Sequence, residues 1–334
     1  MAMKARSATQ LKPGALITIF GGSGFVGSHL VQALARRGYR IRVAVRRPNE
    51  ALFLKTSGVV GQIEPVQANI RDDASVAAAV EGASAVINLV GILYETGKQR
   101  FKSVQTDGAA RVAKAAKAAN VPVFIQMSAL GADAESPSDY AVSKAEGEAA
   151  VLAIYPQAVI LRPSLVFGPD DNFYNRFASL ARLSPILPLF EGATRFQPVY
   201  VKDVAEAIAR VVESDAFDGK VLELGGPVVQ TMREIWEQVL HVIRRKRVLA
   251  PVPRFFARIK AFFLQFLPTP ILTPDQLRLL AIDNVVSDEA ASEGRTFEGL
   301  GIAPTSTSAI LPLYLARFRK RGQFESGVEP LAQD

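Results

Sequence analysis

Six short runs rich in β-branched and other apolar residues punctuate the first half of the chain: ALITIF (15–20), RIRVAV (40–45), IEPVQA (63–68), AVINLV (85–90), VFIQM (123–127) and AVILR (158–162). Between them, apolar positions recur at helical spacing over 28–37, 101–119 and 138–152. The runs are near-continuous rather than alternating, the pattern of strands buried on both faces. Strand and amphipathic helix in repeated succession predict parallel βαβ units with right-handed crossovers, hence an α/β fold with a doubly wound sheet. The rhythm breaks after Arg162, where prolines and aromatics dominate 163–196. VYVKDVAEAIARVVE (199–213) then predicts one more helix and KVLELGG (220–226) one more strand. Beyond Pro227 the pattern is mostly helical with proline stops, and 317–334 reads as a polar tail.

The turn between the first strand and first helix carries the first chemical signal. In TIFGGSGFVGSHLV (18–31), Gly21, Gly24 and Gly27 fall at three-residue spacing. The first permits a tight turn, the second lets backbone approach a pyrophosphate, and the third lets helix and strand pack closely. A helix N-terminus with unpaired N–H groups favours phosphate, so this turn predicts dinucleotide binding. An acidic residue at the end of the second strand would select NAD through the ribose 2′-hydroxyl. Here that strand ends in VAVRRPN, with Arg46 and Arg47 instead. Guanidinium groups suit a 2′-phosphate through paired, charge-assisted hydrogen bonds, which predicts NADP(H). The expected organisation is an extension over 1–15, a Rossmann domain over 16–162 plus 197–226, a smaller and mostly helical lobe over 163–196 plus 227–316, and the tail.

Composition removes several alternatives. With no cysteine there is no disulfide, thiolate metal site or Cys nucleophile, and His29 and His241, the two histidines, are far apart. No metal site is expected, and His29 reads as helix packing. No run of about 18 uncharged apolar residues exists to span a membrane, and MAMKARSATQLKPG lacks the apolar core of a secretory signal. The net charge is +7, but aromatics are not interleaved with the bases as a stacking platform requires, so no nucleic-acid partner is expected.

With INLVG (87–91), YAVSK (140–144) and LRPSLVFGP (161–169) following the glycine turn in order, the chain resembles the extended short-chain dehydrogenase/reductases. The resemblance implies Tyr140 as general acid/base, with Lys144 one helical turn on lowering its pKa and holding the nicotinamide ribose. It implies a cofactor cradle of Gly21, Gly24, Phe25, Val26, Gly27, Arg46, Arg47, Asn69, Val90, Gly91, Met127, Ser128, Tyr140, Lys144 and Pro163. Two positions depart from the family pattern: Ala129 stands where a Ser or Thr is expected, and Gln105 where an Asn is usual. Losing the substrate-orienting hydroxyl removes transition-state stabilisation, so a retained cofactor with weak or absent turnover is expected.

RFFARIKAFFLQFL (254–267) places Phe255, Phe256, Ile259, Phe262, Phe263, Phe266 and Leu267 in one broad stripe, with basic runs RRKR (244–247) before it and RFRKR (317–321) after. Such a helix suits a membrane interface or a partner, although packing into the lobe's own core would give the same pattern. LTPDQLRLLAIDNVVS (272–287), TFEGLGIAPTS (296–306), SALGAD (128–133) and FQPVYVKDVAEAI (196–208) narrow the resemblance to the nucleotide-binding accessory subunits of respiratory complex I, the NADH:ubiquinone oxidoreductase. That likeness implies tightly held NADPH (or NADP⁺) that is not turned over. It also implies docking beside the quinone module and membrane-arm subunits, with peripheral lipid contact through 254–267. The expected location is the cytoplasmic face of a bacterial inner membrane, or else the matrix face of the mitochondrial one. The competing expectation is a soluble NADPH-dependent reductase or epimerase.

Overall fold

The computed structural model describes residues 11–265 and 272–322. Most of the expected N-terminal extension, Phe266, Leu267 and most of the expected tail therefore lie outside the described residues. The six apolar runs form β1 (Leu16–Phe20), β2 (Arg40–Val45), β3 (Ile63–Gln67), β4 (Ala85–Asn88), β5 (Val123–Met127) and β6 (Val159–Pro163), each within two residues of its expected ends. Short strands β7 (Val166–Phe167), β8 (Ile186–Leu189), β9 (Arg195–Phe196) and β10 (Val199–Tyr200) precede β11 (Val221–Leu224), the additional strand of the pattern. Two more, β12 (Gln230–Thr231) and β13 (Val248–Pro251), follow. The main helices are α1 (Phe25–Arg36), α2 (Asp73–Val80), α3 (Asp107–Ala118), α4 (Asp139–Ile154), α5 (Tyr174–Leu183), α6 (Val201–Glu213), α7 (Met232–Val242), α8 (Arg254–Leu264), α9 (Pro274–Leu280), α10 (Asp288–Ser292) and α11 (Thr307–Leu315).

The main sheet runs β11-β6-β5-β4-β1-β2-β3, parallel throughout. Chain order reverses at β1, which has β2 on one side and β4 on the other, and ligands of such sheets bind outside the carboxyl ends at that switch point. Both faces are covered, as the near-continuous apolar strands require. Ile17, Ile19, Leu30, Leu34 and Ile208 pack on the α1–α6 side, and Phe20, Val86, Val112 and Phe124 on the other. A separate cluster around Phe167, Tyr174, Leu187, Trp236 and Leu311 forms the core of the smaller lobe.

The structure departs from the sequence pattern in three places. The smaller lobe is mostly helical, as expected, but it also holds short strands that the pattern did not predict: β8 pairs in parallel with β13, and β9 antiparallel with β12. These strands are two to four residues long, too short for periodicity to reveal. Phe297, Leu300 and Ile302, expected in the smaller lobe, instead join the core on the α1–α6 side of the main sheet. The helix expected over 101–119 opens with a π-helical turn, Lys102–Thr106, before α3.

The segment from α9 to α10 ties the smaller lobe across the carboxyl ends of β5, β6 and β11. Thr273 caps α9 in a reciprocal arrangement with Gln276. In the first turn of α9, Asp275 accepts from the Ser138 hydroxyl (2.9 Å) and the backbone N–H groups of Asp139 (2.8 Å) and Tyr140 (3.2 Å). A carboxylate from another element thus sits on the positive end of α4. Further along, Asn284 receives the Ser164 hydroxyl at 2.7 Å and donates to the Leu130 carbonyl at 2.9 Å, and the Ser287 N–H reaches Glu223 at 2.8 Å. Replacing Asp275 by Ala is expected to cost about 1–2 kcal/mol, the scale of a lost helix cap, read as a lower urea midpoint with unchanged slope.

Candidate nucleotide-binding site

The glycine turn is built as its spacing predicts. Gly21 adopts φ +78°, a left-handed conformation that favours glycine, and its N–H donates to the Ala44 carbonyl at the end of β2. A Cβ on Gly27 would lie 2.5 Å from the Gly21 carbonyl oxygen and 2.6 Å from the Gly22 Cα. Helix and turn therefore pack backbone to backbone. Among the described residues no side chain caps α1, and its first turn holds no acid, so the N–H groups of Phe25, Val26 and Gly27 form an uncompensated positive end, while the Gly24 N–H closes the turn onto the Gly21 carbonyl at 3.0 Å. A Cβ on Gly21 would meet Leu89 and Val90 at 3.3 Å, which sets the end of β4 against the turn. The Val90 N–H is fixed by the Asn88 side chain at 3.2 Å.

Arg46 and Arg47 follow β2 on the exposed rim. Arg47 pairs with Glu50 at 2.8 Å with both side chains mostly exposed; such a pair contributes little and gives way readily to a phosphate. Asn69 is occupied in the turn before α2: its N–H donates to Ser75 and its side-chain oxygen accepts from the Arg71 N–H. His29 sits edge-on to Phe25 with ring centres 6.0 Å apart, and burial lowers its pKa; it packs.

The second half of the site gathers at the ends of β4 and β5. Tyr140 and Lys144 lie on α4, with the Lys144 ammonium 5.8 Å from the Tyr140 ring centre. Lys144 Nζ donates to the Met127 carbonyl at 3.4 Å, a long contact for an ammonium with three protons to place. Gly91 faces the pair: a Cβ there would lie 3.3 Å from Lys144 Nζ and 3.4 Å from Gln105 Oε1. Ser128 is buried with its hydroxyl unpartnered among the described residues, and Gln105 Oε1 is likewise buried without a partner among them. Pro163 ends β6, and its carbonyl accepts from the Leu130 N–H at 2.9 Å. The structure thus brings Gly91, Gln105, Met127, Tyr140 and Lys144 together, with the glycine turn beside Val90 and the arginines at the rim beyond Ala44.

Three contributors are not among the site residues that the sequence led us to expect. Ser143, inside YAVSK, donates to the Tyr140 carbonyl at 2.8 Å and receives the Gln105 amide at 3.0 Å. Gly147 lets α4 approach the π-turn, since a Cβ there would lie 2.5 Å from the Gln105 carbonyl oxygen. Asp275 is the third, and its only sequence signal is the capping pattern T-P-D-Q. The glycine cradle, the open helix end and the two orphaned polar atoms fit a nicotinamide dinucleotide.

Burial pushes the Tyr140 hydroxyl up to about 12 and the Lys144 ammonium down to about 8, with Glu148 opposing the latter.

The chain belongs to the NAD dependent epimerase/dehydratase family, whose profile matches residues 17–225. Within that breadth, its similarity to one set of curated relatives runs along nearly the whole of this chain. It is 34% identical over 335 residues to the NADH dehydrogenase [ubiquinone] 1 alpha subcomplex subunit 9, mitochondrial, of Arabidopsis thaliana, covering 96% of this chain and 82% of that protein. A ceramide reductase of Caulobacter vibrioides is 33% identical over 238 residues, covering 71% of this chain and 74% of the enzyme. Among solved structures, UDP-glucose 4-epimerase from Thermotoga maritima superposes with a TM-score of 0.69 at 18% identity, covering 92% and 99% of the two chains, which shows the shared fold.

Lys144 makes the site testable by pH. In the nucleotide-free protein its folded pKa, about 8, lies below the ordinary 10.5. Between those values the unfolded chain binds the extra proton, so stability rises with pH; below about 8 the full penalty applies. Lys144→Met is therefore expected to be more stable than the wild type near neutral pH. Urea midpoints of the two should converge as pH rises towards about 10, where unfolded tyrosine begins to titrate.

Proposed function

We propose that the chain is an NADPH-holding accessory subunit of a respiratory NADH:ubiquinone oxidoreductase, docked at the membrane surface beside the quinone module and membrane-arm subunits, with little or no turnover of its own. Gly21, Gly24, Phe25, Val26 and Gly27 would hold the pyrophosphate, Arg46 and Arg47 the 2′-phosphate, and Gly91, Met127, Ser128, Tyr140 and Lys144 the nicotinamide half. The bound group would supply hydride chemistry, but Ala129 offers no hydroxyl to orient a carbonyl substrate. What remains is a ligand that stabilises the state it binds, by RT ln(1 + [L]/Kd).

The observation that carries the docking half is α8. Its small residues, Ala257 and Ala261, pack inward, while Phe255 (69% exposed), Phe256 (57%), Ile259 (42%), Phe262 (53%) and Phe263 (66%) face out. Over the described residues the apolar stripe is not packed into the core of its own lobe. Arg254 anchors the helix start through a two-pronged pair with Glu191 (2.7 and 3.0 Å), and Arg258 and Lys260 are exposed beside the rings. Among the described residues no helix is long and apolar enough to cross a membrane, so the contact would be peripheral. The subunit 9 relatives support the respiratory assignment; a bacterial inner membrane, on its cytoplasmic face, is the location we propose.

A second reading, an NADPH-dependent reductase or epimerase, draws on the retained Tyr140–Lys144 pair and the ceramide reductase relative. It stands or falls on hydride transfer from bound NADPH to a carbonyl compound.

Two outcomes check the first reading. Phe255→Ser combined with Phe263→Ser should move the protein from the membrane fraction to the supernatant while its bound nucleotide is retained; a protein found free of any large respiratory assembly before mutation overturns the proposal. Removing both guanidinium groups, Arg46→Ala with Arg47→Ala, should weaken NADPH about 10–100-fold by calorimetry, the scale of lost charge-assisted hydrogen bonds, and leave NADH nearly unchanged.

A further inference from the structure

The two basic runs that precede and follow α8 in the sequence, RRKR (244–247) and RFRKR (317–321), meet in the fold. The first lies just after α7 and the second just after α11, and each is tied to the other. Arg245 Nε donates to the Phe318 carbonyl at 3.1 Å, and Arg319 Nε donates to the Val242 carbonyl at 3.0 Å. Arg182, at the end of α5, joins them: its guanidinium lies 5.9 Å from the Phe318 ring centre, and that of Arg317 lies 5.1 Å from it. Arg247 Nε reaches the Ala181 carbonyl at 2.7 Å.

These bonds spend Nε on neutral carbonyls, so they fix the guanidinium groups without cancelling their charge. Among the described residues no carboxylate pairs with Arg182, Arg245, Lys246, Arg247, Arg319 or Lys320. A helix end favours a cation, and three ends meet here, but Arg182 and the two runs supply nine basic side chains. Nine exceeds the net charge of +7 for the whole chain, so the remainder of the molecule is net negative. Desolvation, together with the Arg247 and Arg182 charges, lowers the Arg245 pKa. An uncompensated field of one sign concentrates the opposite charge at that surface.

Exposed aliphatic side chains stand among these cations. Leu183 and Ile186 follow Arg182, Val248 follows Arg247, and Ile186 and Val248 are partners across β8 and β13. Stacking on bases needs exposed rings, and the ring at the centre of the cluster, Phe318, is buried. Cations around exposed aliphatics match a phospholipid surface, with anionic headgroups above acyl chains. From this patch β8 and β13 lead towards Glu191 and Arg254 at the start of α8. At the rise of a strand that distance is roughly 20 Å at most, close enough for one membrane surface to meet both.

We propose that the basic cluster around Phe318 binds the headgroups of an anionic phospholipid surface, with Leu183, Ile186 and Val248 entering the interface between them. The proposal rests on the membrane-docking reading above and adds to it the charge of the lipid.

The test measures binding of the purified full chain to vesicles of phosphatidylcholine alone and of phosphatidylcholine with phosphatidylglycerol in equal parts. The wild type should prefer the anionic vesicles, and the preference should fade at about 1 M salt, where charges are screened within about 3 Å. Replacing three exposed cations together, Arg182→Gln, Lys246→Gln and Lys320→Gln, should weaken binding to the anionic vesicles about 100-fold, the scale of three surface cations. Binding to the neutral vesicles and the Tm should not change. The charge-keeping exchange Arg182→Lys, Lys246→Arg and Lys320→Arg should bind as the wild type does. Equal binding of both vesicle types by the wild type overturns the proposal and leaves docking through α8 standing. An undiminished anionic preference in the glutamine variant also overturns it; if that variant is at the same time lost from the respiratory assembly, the cluster serves an acidic protein partner instead. A wild-type chain that binds neither vesicle overturns the membrane-docking reading itself.

Discussion

The approach of α1 onto the turn after β1 governs the geometry of everything downstream. Gly27 lies so close to Gly21 and Gly22 that a single methyl would overlap backbone atoms. This contact brings the helix start to the carboxyl end of β1 with nothing between, and so leaves a row of N–H groups facing the switch point of the sheet. Backbone amides presented in this way need no charged side chain to attract a phosphate. The same glycines set β4 against the turn, and β4 leads to Gly91, where Lys144 and Gln105 meet.

A second dependency runs the other way, from the smaller lobe back to the sheet. α8 packs beside α9, α9 contributes Asp275 to the start of α4, and α4 carries Tyr140, Ser143 and Lys144. Asn284 then links the ends of β5 and β6. The surface that we assign to docking and the nicotinamide half of the site are thus joined by a short series of direct contacts, although they belong to different lobes. A ligand that binds one and a partner that covers the other would act on a common piece of structure, the condition for reciprocal coupling.

The doubly wound sheet was legible because its strands announce themselves twice, as apolar runs and as the partners of amphipathic helices. The glycine turn was legible because backbone proximity leaves a residue-type signature. What stayed hidden depends on contacts distant in sequence. β8 and β13 find each other across more than fifty residues and are four residues long, with no periodicity to read. Asp275 resembles any acid in a first helical turn, and only the fold shows that it serves another helix. The packing of Gln105 was concealed for a different reason: comparison with a family pattern registers only a substitution, whereas the structure shows its amide donating to the Ser143 hydroxyl across the start of α4. The α8 stripe was read correctly as apolar, but the sequence could not decide its direction, because Ala257 and Ala261 make a second, small-residue face that packs just as well.

That outward array of phenyl rings has a bearing on the life of the chain before it meets its neighbours. A newly made copy carries a sticky surface that water does not tolerate cheaply, so its abundance in the free state is bounded by aggregation and by the chaperones and proteases that patrol such surfaces. If the chain docks as we propose, its supply would track demand for the assembly, with surplus copies removed because their greasy foot has found no floor.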